Sequence, residues 1–482
     1  MGNYTEEENM EKQTEYEVGF RRNLSSVNVW ALSFGCMISI GAFFMPGTRL
    51  LPTAGPKGTL IAILIAMVLA AVLAVNYQYM IQKYPGAGGV FLFAEKCFGK
   101  GHAFFCTWFL SLAYIMIIPL NATACAMLGR AMYSSIYEVG VSYSVGGSKV
   151  FLPEVVTAMI LLVAFGFLSM RSVRLCGQIQ SVLAFLLLCG VVVVSVWMWI
   201  HKGMQPPQLQ PAFASGKYPV LQVVGAATMM PFAFVGFESV AHTSEEYWFT
   251  NKKLPAIFAC VIVPGVLIYM LLTLIVSEGV PGGYENWQAY LKDMNHLQGL
   301  ESFPVFYCVY DGLGRIGLFI LCLAAMAAIM TGILGFYIVS ARLIYAMARE
   351  GMLPAVFARI GKSQMPENAV LCVMAVSVSA VFLGYTSIGW IVDYASVGAV
   401  IGFGYTSAAA YRCAREEENG MVKSCGMLGM VSSVVFLILC LTPNPFSYNR
   451  LRPEGYLLLA VWSGAGFVVF WNYLRKKNLT GA

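Results

Sequence analysis

Two interruptions of otherwise apolar stretches carry the residues that could bind a solute. The first lies between Leu24 and Leu51, a stretch long enough to cross a bilayer, which takes roughly 20 apolar residues. Its centre reads SIGA at 39–42, and a proline-glycine pair follows at 46–47. An unpaired backbone group is costly in hydrocarbon, so a break there has to face protein or a cavity. The freed amides and carbonyls could hold the ends of a polar solute. Close helix packing through small residues is the alternative.

The second interruption lies in the apolar stretch from Val224 to Glu246. Pro231 removes a helical hydrogen bond, Gly236 follows, and Glu238 places a carboxylate at membrane depth. An ionisable residue inside a membrane segment is costly and by default marks a functional site, so a function is predicted for Glu238. The alternative is a buried acid hydrogen-bonded to a neighbouring helix. Interrupted segments at corresponding places in two halves of a chain indicate a transporter's binding site.

The elements that must position these residues are membrane helices. Of the 482 residues, 59% are hydrophobic and 11% are charged, whereas soluble domains carry roughly 25% charged residues. The apolar runs are continuous and do not alternate with polar residues, which excludes a β-barrel. The basic residues behind the net charge of +6 lie in loops, so no nucleic-acid partner is expected.

Neither a cofactor nor a metal is expected. The 13 cysteines are scattered singly without a CxxC pair, which indicates neither a disulfide framework nor a zinc site. The histidines His102, His201, His242 and His296 are far apart, and each is interpreted as a loop or packing residue. The sequence also lacks an HExxH motif, paired intramembrane acids and a GxxxxGK[ST] stretch. We therefore expect neither an enzyme nor an ATP-driven pump.

Twelve spans are predicted, with both termini in the cytoplasm. The N-terminal tail covers residues 1–23 and has no apolar signal region, and the C-terminal tail covers 475–482. The spans lie at about 24–50, 58–81, 102–133, 151–170, 177–200, 219–243, 255–277, 313–347, 367–384, 388–411, 426–442 and 455–474. Basic residues are roughly twice as frequent in the loops assigned to the cytoplasm, as the positive-inside rule requires. The sequence thus predicts an all-α polytopic protein of the plasma (inner) membrane, embedded in the lipid bilayer.

Four stretches resemble a known family. Residues 39–46, SIGAFFMP, are similar to its GSGIF-then-proline motif of span one, although Ile40 replaces a small polar residue and Ala42 a larger aliphatic one. Residues 84–89, YPGAGG, resemble its P-x-A-G-G signature, and 234–239, FVGFES, resemble its span six pattern. Residues 340–354 resemble the S-R-x-x-[YF]-A-x-A-R-[DE]-G-x-x-P signature that ends span eight, with Ala341 between Ser340 and Arg342. The family is the amino acid–polyamine–organocation (APC) superfamily of permeases.

The resemblance implies a five-plus-five inverted repeat with discontinuous spans one and six. The first repeat would cover 24–200, the second 219–411, and two further C-terminal helices 426–474. Family members hold the substrate carboxylate on amides of the span one break and the ammonium on carbonyls of the span six break, which helix-end dipoles also favour. Carried onto this sequence, the substrate-binding residues are Ile40, Gly41, Ala42, Phe232, Ala233, Val235 and Gly236. Phe232 is also the gating aromatic; Phe234 and Phe237 either add to this lid or simply pack.

The function implied is a secondary transporter that moves amino acids by alternating access, as an exchanger or a proton-coupled symporter. Glu238 would couple protons or hold span six to a neighbouring helix. Many proton-coupled members carry a lysine in span five, where this sequence has Leu187, so a lysine-based mechanism is not supported. Thr331 is a candidate cation or water ligand, or its hydroxyl bonds to its own helix.

Two alternatives stay open at this point. A polyamine or amine exchanger of the same fold would need more negative charge than the one deep acid, Glu238, so a neutral or mildly polar amino acid is favoured. An amino acid sensor that binds without transporting usually carries a long soluble tail, and both tails here are short. The sequence does not indicate an oligomeric state.

Overall fold

The computed structural model describes residues 20–201, 209–216, 218–442 and 453–480. Most of the predicted N-terminal tail, residues 1–19, lies outside this part, as do the last two residues of the predicted C-terminal tail. The described chain forms helices and one β-hairpin, in the order α1 Ser26–Met37, α2 Gly41–Met45, α3 Leu51–Lys83, α4 Val90–Phe98, α5 Lys100–Met132, α6 Ser134–Tyr137, β1 Ser142–Val145, β2 Ser148–Phe151, α7 Leu152–Ser169, α8 Val173–His201, α9 Pro219–Ala227, α10 Met230–Phe234, α11 Ser239–His242, α12 Leu254–Glu278, α13 Trp287–Asp293, α14 Pro304–Arg349, α15 Glu367–Val381, α16 Gly384–Glu416, α17 Gly420–Leu441 and α18 Pro453–Thr480.

The long helices are those of a membrane protein. Eight helical segments of the described chain are long and apolar enough to cross a bilayer, and a ninth is formed if α15 and the start of α16, bent by 118°, count as one. Their outer faces expose large apolar side chains, among them Ile160, Val182, Leu428 and Phe467. Lipid accommodates such faces, whereas water would not. The prediction of a polytopic all-α membrane protein is confirmed at this level.

Helices α5 and α14 form the centre of the bundle. The most apolar stretch of α5 is 89% buried, and α5 packs against α4, α14 and α16. Helix α14 turns at Gly314, where φ is 67°, so it begins at Pro304 although the span was predicted from 313. Both helices therefore present side chains to the interior along most of their length.

Some short elements differ from the prediction. Helix α18 continues to Thr480, past the predicted end at 474. Helix α4 and the β1–β2 hairpin were not predicted. The hairpin pairs Ser142 with Phe151, and its Ser148 hydroxyl contacts that of Thr386 at 2.8 Å. Elements this short leave too few residues for a periodic pattern.

A buried ion pair closes one end of the bundle. Arg342, on α14, donates from Nε to Glu246 at 2.7 Å, and both side chains are almost completely buried. The ring of Phe20 lies 5.3 Å from the Arg342 guanidinium. The amides of Asn23 and Leu24 both donate to the Glu246 carbonyl at 3.0 Å. The first described residues are thereby fastened to the bundle next to α11.

We expect Glu246→Gln to destabilise the protein strongly. It leaves the Arg342 charge buried without its partner, and breaking one side of a buried pair costs about 3–5 kcal/mol. Thermal unfolding of the purified protein in detergent measures this loss.

Lys83→Gln is the matched control, because the Lys83–Glu417 pair is solvent-exposed and its removal should hardly shift the unfolding temperature. Equal unfolding temperatures for the two variants would show that the Arg342–Glu246 pair contributes no more than a surface pair.

Candidate functional site

The first apolar stretch is broken near its centre. Helix α1 ends at Met37, residues 38–40 are non-helical, and α2 begins at Gly41. The Ile40 amide donates to Asn121 Oδ1 at 3.1 Å, and the Ala42 amide donates to the Ser39 carbonyl at 3.1 Å. The amides of Ser39 and Gly41 find no acceptor among the described residues. Of the three predicted carboxylate-binding amides, only that of Gly41 is therefore free.

The second stretch is broken as well. Helix α10 ends at Phe234 and α11 begins at Ser239, with Gly236 between them at a φ of 114°. The Phe232 carbonyl accepts weakly from the Val235 amide at 3.3 Å. The carbonyls of Ala233 and Val235 have no backbone donor among the described residues, so they remain available to a ligand's ammonium group.

Glu238 accepts two hydrogen bonds at this second break. Its Oε2 accepts from the Gly236 amide at 2.9 Å, and its Oε1 accepts from the Tyr114 hydroxyl of α5 at 2.6 Å. The side chain is completely buried. A carboxylate that replaces a missing helical acceptor satisfies a backbone amide that would otherwise be buried without a partner. Glu238 thus links α10–α11 to α5 through its hydrogen bonds.

The two breaks lie in direct contact. A methyl group placed on Gly236 would lie 2.6 Å from the carbonyl carbon of Cys36 and 2.7 Å from the Met37 amide nitrogen. A methyl on Gly41 would lie 3.5 Å from the ring of Phe232, which is half-buried. The chain ends exposed by the two breaks are therefore neighbours, and Phe232 lies beside Gly41.

The other aromatic candidates pack in the core. Phe237 is fully buried against the rings of Tyr77, Phe258 and Phe403. Phe234 is also buried and lies near Tyr269. Ordinary packing accounts for both side chains, although both also line a small apolar cavity of about 40 Å³, whereas Phe232 remains the candidate for a gate.

Span five contributes a neutral polar contact. Leu187, which stands where the family lysine was expected, is buried among apolar side chains. From α8, the side-chain amide of Gln180 donates to the Thr331 carbonyl of α14 at 3.1 Å. The Thr331 hydroxyl bonds to Ala327 and Ala328 of its own helix. The Thr331 hydroxyl is therefore used within its own helix, which is the second of the two interpretations predicted for it.

Two polar cavities lie on either side of the breaks. One, of about 200 Å³, is lined by Thr123, Arg130, Glu154 and Tyr385 among others. The other, of about 440 Å³, is lined by Lys83, Glu95, Glu245 and Arg349 among others. Neither cavity is lined by a residue of either break. The small apolar cavity of about 40 Å³ lined by Phe234 and Phe237 lies beside the second break.

Three functional candidates on α5 and α11 were missed from the sequence. Asn121 supplies the acceptor for Ile40, Tyr114 binds Glu238, and His242 contacts Tyr114. The available signal was a polar residue inside a strongly apolar run, which in a membrane segment points inward.

Comparisons with known proteins agree on one family. The sequence model of a family described as amino acid permease matches residues 24–470. The methylthioribose transporter of Bacillus subtilis (strain 168) is 24% identical over 467 residues, 95% of this chain and 94% of that protein. The branched-chain amino acid permease BcaP of Lactococcus lactis subsp. cremoris is 20% identical over 471 residues, 95% and 96% of the two chains. A vacuolar cationic amino acid transporter 4 of Arabidopsis thaliana is 24% identical over 397 residues, 79% of this chain but only 61% of its own length.

Gly236→Ala should damage the site by moving the two breaks apart. The new methyl group would collide with the α1 backbone, and the positive φ adds strain of about 1–3 kcal/mol. We expect a clear fall in the thermal unfolding temperature in detergent.

Gly282→Ala serves as the control, since nothing lies within 4 Å of the added methyl group. If both alanine variants melted together with the wild type, the contact between Gly236 and α1 would not exist in the folded protein.

Proposed function

Because the chain belongs to the amino acid permease family, we propose that it carries a neutral amino acid across a membrane by alternating access. The observation that carries this proposal is that two helix breaks, each with main-chain groups left without a partner among the described residues, lie in direct contact. The absence of break residues from the linings of the two polar cavities supports an occluded intermediate of such a cycle.

The finer architecture proposed is twelve spans in a five-plus-five inverted repeat. Ser26–Lys83 is 58 residues long and turns at Gly55 (φ 64°), so it counts as two spans. Helices α9 to α11 together form span six, α16 forms span ten, and α17 and α18 complete the twelve. We place both termini in the cytoplasm and the protein in the plasma membrane, in agreement with the loop charges.

Substrate binding is proposed to use main-chain groups. The amides of Gly41 and Ser39 take the carboxylate, because those of Ile40 and Ala42 already have acceptors. The free carbonyls of Ala233 and Val235 take the ammonium. A zwitterion bound in this way needs no dedicated charged side chain. This mode of binding suits a core that is mostly apolar.

The proposed substrate is neutral because no buried carboxylate is left for a cationic side chain. Among the described side chains, the buried acids are Glu238 and Glu246. The first is bound to Tyr114 and Gly236, and the second to Arg342. A relative named for branched-chain amino acids supports this choice, whereas relatives named for cationic amino acids or methylthioribose keep the polyamine or amine alternative testable. A sensor that binds without transport is the third reading.

Purified protein in liposomes should take up labelled leucine, and unlabelled valine or methionine should compete with it far better than arginine or putrescine. The physical reason is the lack of a free buried acid. Uptake inhibited by arginine or putrescine alone would contradict the neutral substrate, and saturable binding without any uptake would indicate a sensor.

Gly41 variants connect this uptake to the breaks. Gly41→Ala adds a methyl group at an ordinary contact distance from Phe232 and should retain leucine binding, whereas the larger side chain in Gly41→Val fills the space beside the free amide. Equal leucine affinity in both variants would mean that the substrate binds elsewhere.

Glu238→Gln separates proton-coupled transport from exchange. The amide keeps the shape of the side chain but cannot carry a proton, so pH-gradient-driven leucine accumulation should be lost while leucine–leucine exchange persists. Flux into liposomes, with and without an imposed pH gradient, measures both activities.

Glu416→Gln, at an exposed ion pair, is the control for this change. Unaltered pH-driven accumulation in Glu238→Gln would remove Glu238 from coupling. A wild-type protein that exchanges leucine but ignores the pH gradient would be an exchanger.

A further inference from the structure

Glu238 is the first member of a buried chain of three polar side chains. Tyr114 donates its hydroxyl hydrogen to Glu238 Oε1 at 2.6 Å, and the same hydroxyl lies 3.2 Å from Nε2 of His242. All three side chains have no exposed surface. Since the phenol oxygen can accept one hydrogen bond while donating another, the contacts form a continuous path from carboxylate to imidazole.

The far end of this path is unpaired. Nδ1 of His242 has no hydrogen-bond partner in the described part of the chain. A buried polar atom without a partner is uncommon and requires an explanation. With its proton on Nε2, His242 donates to the Tyr114 oxygen and leaves Nδ1 with a bare lone pair, which is where a further proton can be bound.

His242 lies next to a loop that borders the 440 Å³ cavity. The backbone of Gly88 lies beside the imidazole, and a methyl on Gly89 would touch Ala241. Two residues earlier, Gly86 and Ala87 line the cavity. Lys83, Glu95, Glu245 and Arg349 line the same cavity, so it is polar enough to hold water.

Different ionisable groups lie near the two ends of the path. Cys36 of α1 and Tyr77 of α3 lie near Glu238. The Arg342 guanidinium of α14 lies near His242 and is itself paired with Glu246.

We propose that Tyr114 and His242 relay protons between Glu238 and the 440 Å³ cavity, an inference that depends on the proton-coupled form of the proposed function. In the release direction, the Glu238 proton moves to the Tyr114 oxygen while the Tyr114 proton moves to His242 Nε2. His242 gives its Nδ1 proton to water on the cavity side. One proton leaves, Tyr114 stays neutral, and Glu238 becomes a carboxylate.

The observed contacts fit the arrangement after release. With Glu238 as a carboxylate, Tyr114 donates to it at 2.6 Å, and with the His242 proton on Nε2, the unpartnered ring nitrogen is Nδ1. The observations are these two contacts and the unpartnered Nδ1, and the proton positions belong to the proposal. A histidine that merely fills space would not need its ring nitrogen aimed at the partner of the coupling acid.

The test uses liposomes containing the full-length protein and a trapped pH-sensitive dye. Wild type should acidify the lumen as leucine enters under an inward proton gradient. His242→Gln preserves a side chain that can hydrogen-bond to Tyr114 but cannot exchange protons at neutral pH. We expect its leucine-linked acidification to fall at least about tenfold, while leucine–leucine exchange at equal pH stays within about twofold of wild type.

His102→Gln is the matched control, because His102 forms the same kind of contact with a tyrosine, 2.9 Å from the Tyr405 hydroxyl, on an exposed surface. It should acidify the lumen like wild type. Tyr114→Phe removes the middle of the relay and should lower leucine-linked acidification at least as far as His242→Gln does, which gives a second reading of the relay if His242→Gln fails to fold. Because Tyr114 also anchors Glu238, no unchanged exchange is expected of this variant.

The outcomes distinguish failure of the proton relay from failure of the proton-coupled transport proposal. If wild type acidifies the lumen and His242→Gln does so equally well, the relay is wrong while proton coupling stands. If wild type takes up leucine without acidification, the coupling proposal fails and the relay fails with it. Loss of acidification with preserved exchange in His242→Gln, together with loss of acidification in Tyr114→Phe, supports the relay, since damaged packing in His242→Gln would reduce both of its activities.

Discussion

A peptide group inside a bilayer must have a hydrogen-bond partner, and the centre of this protein depends on how that requirement is met at two helix breaks. Breaking α1 from α2, and α10 from α11, frees amides and carbonyls where no bulk water can bind them. Asn121 compensates for one amide and Glu238 for another. The amides of Ser39 and Gly41 and the carbonyls of Ala233 and Val235 are left over, and a zwitterion is the simplest ligand that satisfies both kinds.

The supports of the site lie on a helix that is itself unbroken. Helix α5 supplies both Asn121 and Tyr114, one for each break, and its membrane-crossing part is almost entirely buried. A movement of either break relative to α5 would therefore have to exchange one of these hydrogen bonds for another partner. Such bistable contacts are what an alternating-access cycle needs, because a continuously deformable core would not separate two states. The buried Arg342–Glu246 pair adds a second bond of this kind at one end of the bundle.

Local chemistry explains why part of this arrangement was predictable from the sequence. Gly41, Gly236 and Glu238 interrupt apolar runs, and the cost of such interruptions in lipid is large enough to be read directly from the residue types. The long helices followed from hydrophobicity in the same way. Asn121 and His242 were not recognised, since their importance lies in partners far away in the chain, and one sequence contains no record of such pairs. The Asn121 side chain also binds the Ile40 amide, so the sequence could not predict which amides of residues 40–42 are free.

The central claim is that main-chain groups of the two breaks hold the substrate, and a structure of the protein with bound leucine tests it most directly. The account predicts carboxylate oxygens within about 2.7–3.2 Å of the Gly41 and Ser39 amide nitrogens, and the ammonium at a similar distance from the Ala233 and Val235 carbonyl oxygens. Leucine bound in either polar cavity, with both breaks closed on each other as they are here, would contradict it.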